Sequence, residues 1–138
     1  ANTAEIRYLR SPEGLNPSQM EGFFVGWEKR PTAPTLLKIL SKSDHVAIAM
    51  HGDQVVGFAT ANSDHVISAH IPLVEVLPEY QGKGIGKTLV ELLLEDFKDI
   101  YMIDLMCEED VEGFYEKFGF HKVPAMMLRH YDKQLGEG

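Results

Sequence analysis

The sequence predicts a single domain of the α/β (α+β) class, and three features of the chain predict it. The 138 residues suit one hydrophobic core. Hydrophobic residues make up 44% and charged residues 25%, the balance of an ordinary globular protein. The apolar period then changes along the chain, from strand-like runs before Gly84 to helical spacing after it. No internal repeat, linker or low-complexity tract divides residues 1–138, so one domain is expected over the whole length.

Taken in order, Ile6 to Leu9 reads as a short strand. Asn16 is placed as a helix N-cap, with Pro17 first and Gln19 third in the turn after it, and this predicts a helix to about Phe24. Pro34 to Leu40 offers a second helix. Val46 to Met50 and Val55 to Ala61 read as strands joined by the turn His51-Gly52-Asp53. Val66 to Leu77 reads as a long third strand with Pro72 inside it. Proline cannot donate to a ladder, so a bulge or break is expected there. Ile85, Leu89, Leu92, Leu93 and Phe97 then fall at helical spacing, giving an amphipathic helix to about Lys98. A strand from Ile100 to Cys107 comes next, then a helix from Asp110 to Phe118 stopped by Gly119. Phe120 to Val123 and Met126 to His130 read as two closing strands, making seven strands and four helices.

The formal net charge of −8 argues against nucleic acid, whose binding rests on Lys and Arg contacts to phosphate. No apolar run approaches the roughly 20 residues of a membrane span, so no membrane partner is expected. The opening residues Ala1 to Glu5 show no basic patch followed by an apolar stretch, so no signal peptide is expected. Cys107 is the only cysteine, which excludes an internal disulfide and fits a cytoplasmic setting. The six histidines show no metal-ligand spacing, so no metal is expected. Between Glu75 and Glu116 stand twelve Asp or Glu against three Lys. That acidic excess is either a solvated face or a field that attracts a cationic partner.

The most informative stretch runs from Val74 to Lys87. A strand enters three alternating glycines, Gly82, Gly84 and Gly86, and an amphipathic helix starts at once. Glycines allow a tight turn with exposed N–H groups, and a helix start adds unspent N–H groups and a positive dipole end. Together they make a site for a phosphate or diphosphate. The dinucleotide pattern G-x-G-x-x-G fails, since the sixth position is Lys87 from Gly82 and Leu89 from Gly84. The nucleotide P-loop fails because Gln81 stands where its first glycine belongs.

A third pattern, Q/R-x-x-G-x-G/A, is met by Gln81, Gly84 and Gly86. It resembles the diphosphate loop of the GCN5-related N-acetyltransferases. Phe114-Tyr115-Glu116-Lys117-Phe118-Gly119-Phe120 resembles the segment that closes the cofactor site in the same family, and it comes after the loop at the family's spacing. The resemblance is close over Val46 to Phe120 and looser on either side.

The resemblance implies a mixed, mostly antiparallel sheet of six or seven strands, splayed in its middle. It implies acetyl-CoA as co-substrate and an amine acceptor attacking directly in a ternary complex. The pantetheine arm would lie along Val74 to Leu77, with a backbone N–H near Val76 polarising the thioester carbonyl. The diphosphate would rest on N–H groups of Gln81, Gly82, Lys83, Gly84, Ile85, Gly86 and Lys87, with Lys83 and Lys87 adding charge. Phe114 and Lys117 belong to the closing segment. Tyr115 is implied as the general acid that protonates the leaving thiolate, the alternative being a core tyrosine.

The base is less clear. Glu75 is a carboxylate within the apolar run Leu73 to Leu77, and it is either the base in the cleft or a solvent-facing residue. His70 is the second candidate, and relatives also pass the proton through water. Glu108 stands where relatives often carry an Asn that grips the pantetheine, and a carboxylate there accepts hydrogen bonds without donating. Phe23, Phe24 and Trp27 form either an acceptor wall or part of the core. A CoA-binding regulatory module without catalysis is the competing reading, and a homodimer is left open.

Overall fold

The structure is a computed structural model and describes residues 5–137. Its strands are β1 (Ile6–Leu9), β2 (His45–His51), β3 (Gln54–Ser63), β4 (Ser68–Val76) and β5 (Met102–Leu105), and they lie side by side in chain order. The first four are antiparallel, and short turns join β2 to β3 and β3 to β4, whereas residues 10–44 connect β1 to β2. β5 runs parallel to β4, because helix α2 (Ile85–Asp96) carries the chain back between them. Helix α1 (Ala33–Lys42) precedes the sheet hairpins and the short helix α3 (Glu112–Glu116) comes after β5.

Two layers cover the sheet. α2 packs on β2, β3 and β4 and buries Ile85, Leu89, Val90 and Leu93. It comes so close at Gly57 that an added Cβ would stand 3.2 Å from Leu89 Cδ1 and 3.3 Å from Glu75 O. Phe58, the next residue, faces the opposite side. There Phe23 and Phe24 meet it at ring-centre distances of 5.1 and 6.2 Å.

Three sequence expectations need correction. The helix expected from Pro17 to Phe24 is one 3-10 turn, Pro17–Gln19, although Asn16 and Gln19 do form the reciprocal capping box. Gly22, Phe24 and Gly26 all take positive φ, at 95°, 62° and 87°, and no right-handed helix continues through such residues. Among the described residues the sheet has five strands, not six or seven, and three α-helices stand where four were expected. The expected strands Phe120 to Val123 and Met126 to His130 are irregular chain without a ladder. Pro124 cannot donate to a sheet, and the far end of the segment is tied elsewhere: Gln134 Oε1 accepts from the Lys29 N–H at 3.2 Å.

Candidate active site

The site begins at Pro72. The register runs Thr60 opposite Leu73 and Asn62 opposite His70, so β4 carries one extra residue at Ile71-Pro72. The ladder to β5 ends at the same place, with Ile71 opposite Leu105. Beyond that rung the two chains diverge, leaving one edge of β4 from Pro72 to Val76 without a strand. A proline supplies no ladder N–H, so the break costs little where Pro72 stands.

A cleft of 620 Å³ fills this gap. Its walls are β4 from Ile71 to Val76, the segment Leu105 to Glu108, and Tyr115 of α3. Val25 and Trp27 form its roof, Gln81 its loop end, and Met127 and Arg129 of the tail cross its mouth.

At the loop end, Gly82 and Gly84 take φ values of 76° and 84°, conformations that L side chains rarely adopt. Gly84 is the N-cap of α2 and has no side chain to satisfy the helix start. The first bond of the helix is Thr88 N–H to Gly84 O at 3.1 Å. Among the described residues, no N–H from Gly82 to Lys87 donates to another backbone group. An added Cβ at Gly82 or Gly84 meets nothing within 4 Å, so the space over the loop is open. At Gly86 a Cβ would meet Phe114 Cζ at 3.6 Å and Val76 Cγ2 at 3.7 Å, ordinary contacts that admit an alanine. This geometry explains why the motif tolerates G or A at its last position. Gln81 Nε2 donates to Val76 O at 3.0 Å and ties the loop to the end of β4.

At the other end, Tyr115 packs edge-on to Phe114 and Phe120 at 4.9 and 5.9 Å. Burial, and then the neighbouring Cys107, push its phenol up to about 12. It is therefore a neutral donor across the whole neutral range. The Cys107 thiol is also raised, by burial and then by Glu112, Glu108 and Asp110, so it stays a thiol at neutral pH.

Glu75 lies in the cleft wall and its carboxylate is employed. Oε1 accepts from the Phe24 N–H at 2.8 Å and Oε2 from the Val25 N–H at 3.2 Å. Phe24 sits at φ 62°, and Glu75 secures this unfavourable turn and the roof it carries. Phe58, Thr60 and Asn62 alternate on β3 and share a face, so their partners Glu75, Leu73 and His70 share that face too. His70 pairs through Nδ1 with Asp104 Oδ1, directly across the last rungs of the β4–β5 ladder.

The other expected residues divide. Val74, Val76 and Glu108 line the cleft. Leu77 does not: it is buried, and its N–H is spent on Val56 O at 2.9 Å. Ile85 is buried under the loop, Lys83 is exposed, and Lys87 pairs with Glu91 at 3.2 Å. Phe114 packs against the start of α2, whereas Lys117 is exposed and outside the cleft wall. Phe23 and Phe24 are core, 4% and 2% exposed, while Trp27 faces the cleft. Sequence reasoning assigns no site role to Met127 or Arg129, since no motif marks them and a distant chain crossing brings them in.

The family model described as the acetyltransferase (GNAT) family matches residues 8–120. The chain belongs to the GNAT acetyltransferase family. An uncharacterised N-acetyltransferase of Pyropia yezoensis is 35% identical over 124 residues, covering 85% of this chain and 71% of that one. A solved structure assigned as an acetyltransferase from Deinococcus radiodurans R1 is 40% identical with a TM-score of 0.95, covering 100% of this chain and 97% of that one. Arabidopsis thaliana Naa50, solved with the bisubstrate analogue CoA-Ac-MVNAL, is 27% identical with a TM-score of 0.51, covering 57% and 58%. This GNAT chain is thus an acetyltransferase with one α/β domain and a mixed sheet.

Proposed function

We propose that this GNAT protein transfers an acetyl group from acetyl-CoA to a primary amine by direct attack in a ternary complex. The observation that carries the reading is the gap beyond Pro72, which joins a run of unspent loop N–H groups to a protonated phenol. The loop from Gly82 to Lys87 holds the diphosphate, and the open edge of Val74 to Val76 receives the pantetheine arm. Glu108 accepts from a pantetheine amide.

Tyr115 donates its O–H to the sulfur as the thioester breaks. With its phenol at about 12, Tyr115 is a weaker acid than a thiol near 8.5. Its main contribution is therefore a hydrogen bond to the developing thiolate rather than early proton transfer. The acceptor ammonium must lose one proton before attack. Glu75 is the proposed base: each carboxylate oxygen has a second lone-pair site beyond its bond to the roof. His70, oriented by Asp104, is the second candidate on the same face. The presence of Tyr115 in the cleft favours catalysis over a CoA-binding regulatory module. A cytoplasmic setting is proposed with it, resting on the free, unpaired Cys107. The test is release of free CoA thiol from acetyl-CoA over a panel of amines. Thiol release with no amine in the panel would leave only hydrolysis, and a bound but unconsumed cofactor would favour the regulatory module.

A further inference from the structure

We propose that His51 is a positioning residue for the cofactor: through Tyr80 it fixes the place of the loop that receives the diphosphate. The proposal rests on the diphosphate lying over Gly82 to Lys87 and adds what holds that loop. The loop has few ties of its own. Among the described residues no N–H from Gly82 to Lys87 donates to another backbone group, and Lys83 is exposed. A Cβ at Gly82 or Gly84 would meet nothing within 4 Å. Such a loop takes its position from its two ends. One end is α2, packed on the sheet. The other is the 3-10 turn Pro78–Tyr80. Its start is fixed by Leu77 N–H to Val56 O at 2.9 Å, but its remaining backbone bonds, Tyr80 N–H to Leu77 O and Gln81 N–H to Pro78 O, are local. They shape the turn without fastening its far end. Gln81 Nε2 reaches back only to Val76 O. The Tyr80 hydroxyl reaches further and meets Nδ1 of His51, 29 residues away, at 2.5 Å. The two rings pack edge-on at 5.4 Å.

His51 is a firm anchor. It ends β2, opposite Ile6 of β1 and Gln54 of β3. The turn after it is pinned from two sides. The Arg7 guanidinium donates to Gly52 O at 3.2 Å, and Gln19 Nε2 donates to Asp53 O at 2.9 Å. Gln19 is itself held, since its Oε1 accepts from the Asn16 N–H at 2.9 Å. The anchor therefore belongs to the body of the sheet and not to the loop. The contact does not depend on one protonation state: Nδ1 accepts from the phenol when bare and donates to it when it carries the proton. The diphosphate is unchanged by acyl transfer, so a grip on it favours ground state and transition state alike. Loosening that grip raises KM for the cofactor and spares kcat.

Steady-state kinetics and calorimetry with acetyl-CoA on the full chain are the test. Tyr80→Phe keeps the ring and removes the hydroxyl, and His51→Ala removes the anchor. Each is expected to raise KM for acetyl-CoA about three- to tenfold, the effect of losing one hydrogen bond. Neither should change kcat at saturating cofactor or KM for the acceptor. The double variant should bind no worse than His51→Ala alone, because both substitutions remove the same bond. His51→Asn places a polar atom near the position of Nδ1 and should restore most of the affinity. Gly84→Val is measured beside them. An unchanged KM in Tyr80→Phe with weakened binding in Gly84→Val overturns the tether and leaves the diphosphate placement standing. Unchanged affinity in both overturns the placement and the tether with it. Additive losses in the double variant, or a lowered kcat at unchanged KM, also overturn the tether.

Discussion

Gly84 and Gly86 differ in what a side chain would cost, and the difference separates conformation from contact. Gly84 needs φ near 84° and has open space where a Cβ would go. Valine there is strained by about 1–3 kcal/mol and also fills the space proposed for the diphosphate. Gly84→Val is expected to weaken acetyl-CoA binding by about tenfold or more, equivalent to about 1.4 kcal/mol, in calorimetry. Gly86→Ala meets only ordinary contacts and should bind nearly as the wild type does. Equal affinity in both variants would move the diphosphate off this loop. Tyr115 carries two separable effects. Tyr115→Phe is expected to fold, bind cofactor and turn over about a hundredfold more slowly where chemistry limits the rate. Its second effect is on alkaline stability. The folded phenol titrates at about 12 and an unfolded one near 10, so the folded state binds the proton more tightly. This contribution is fully present below pH 10 and is lost as pH rises from 10 to 12. The loss of Tm between pH 9 and 11.5 should therefore be smaller in Tyr115→Phe than in the wild type. Parallel Tm curves would show that burial does not hold this phenol protonated.

Between elements, the contact that decides most is Glu75 on β4 holding the Phe24–Val25 turn. A charged acceptor for two backbone N–H groups, one at a left-handed Phe, is worth about 2 kcal/mol or more. Glu75→Ala should lower stability by about that amount and widen the acceptor wall. Glu75→Gln keeps an acceptor oxygen and should keep most of the fold. If Glu75 is the base, the Gln variant loses kcat with little change in Tm. If kcat is unchanged, the role passes to His70 or water, and Glu75 positions the roof. The same contact shows why this region is illegible in the sequence. Asn16 and Gln19 announce a helix start, and they do make the cap. The path of the chain beyond Gln19 is set by Gly22, Gly26 and a carboxylate 51 residues from Phe24, which no local pattern encodes. By contrast α1 and α2 carry their own apolar spacing, and Pro72 marks the bulge where the sheet parts because a missing N–H acts locally. Gly82 to Gly86 and Tyr115 are legible for the same reason: a turn, a helix start and a short motif are local. The closing strands are not, because alternation predicts an extended chain but not its partner.

For the whole molecule the governing quantity is charge. Twenty-one Asp and Glu outweigh thirteen Lys and Arg, so the field around the protein is negative. CoA is itself a polyanion, and it must be bound against that field by something other than net charge. The unspent N–H groups at the start of α2 do this locally, with Lys83 beside them and no acidic residue in the first turn. The acceptor meets a different balance. Glu75 and Glu108 stand in the cleft wall with Arg129 as the one cation among the wall residues. Glu75 is engaged with the roof, so much of its charge is already compensated there, and the distant carboxylates act mainly through the long-range field. We therefore expect a preference for cationic amine acceptors that is expressed in kcat/KM more than in kcat, because a long-range field acts on encounter. It should also fade with salt, since screening cuts the reach of the field to about 10 Å near 0.1 M. The measurement compares kcat/KM for a polyamine, a neutral aryl amine and an acidic amino acid at low and high ionic strength. If the polyamine leads at both ionic strengths by the same factor, contacts inside the cleft select it and the field does not. If the acidic amino acid leads, Arg129 rather than the carboxylates defines the acceptor, and Arg129→Ala should then remove that preference.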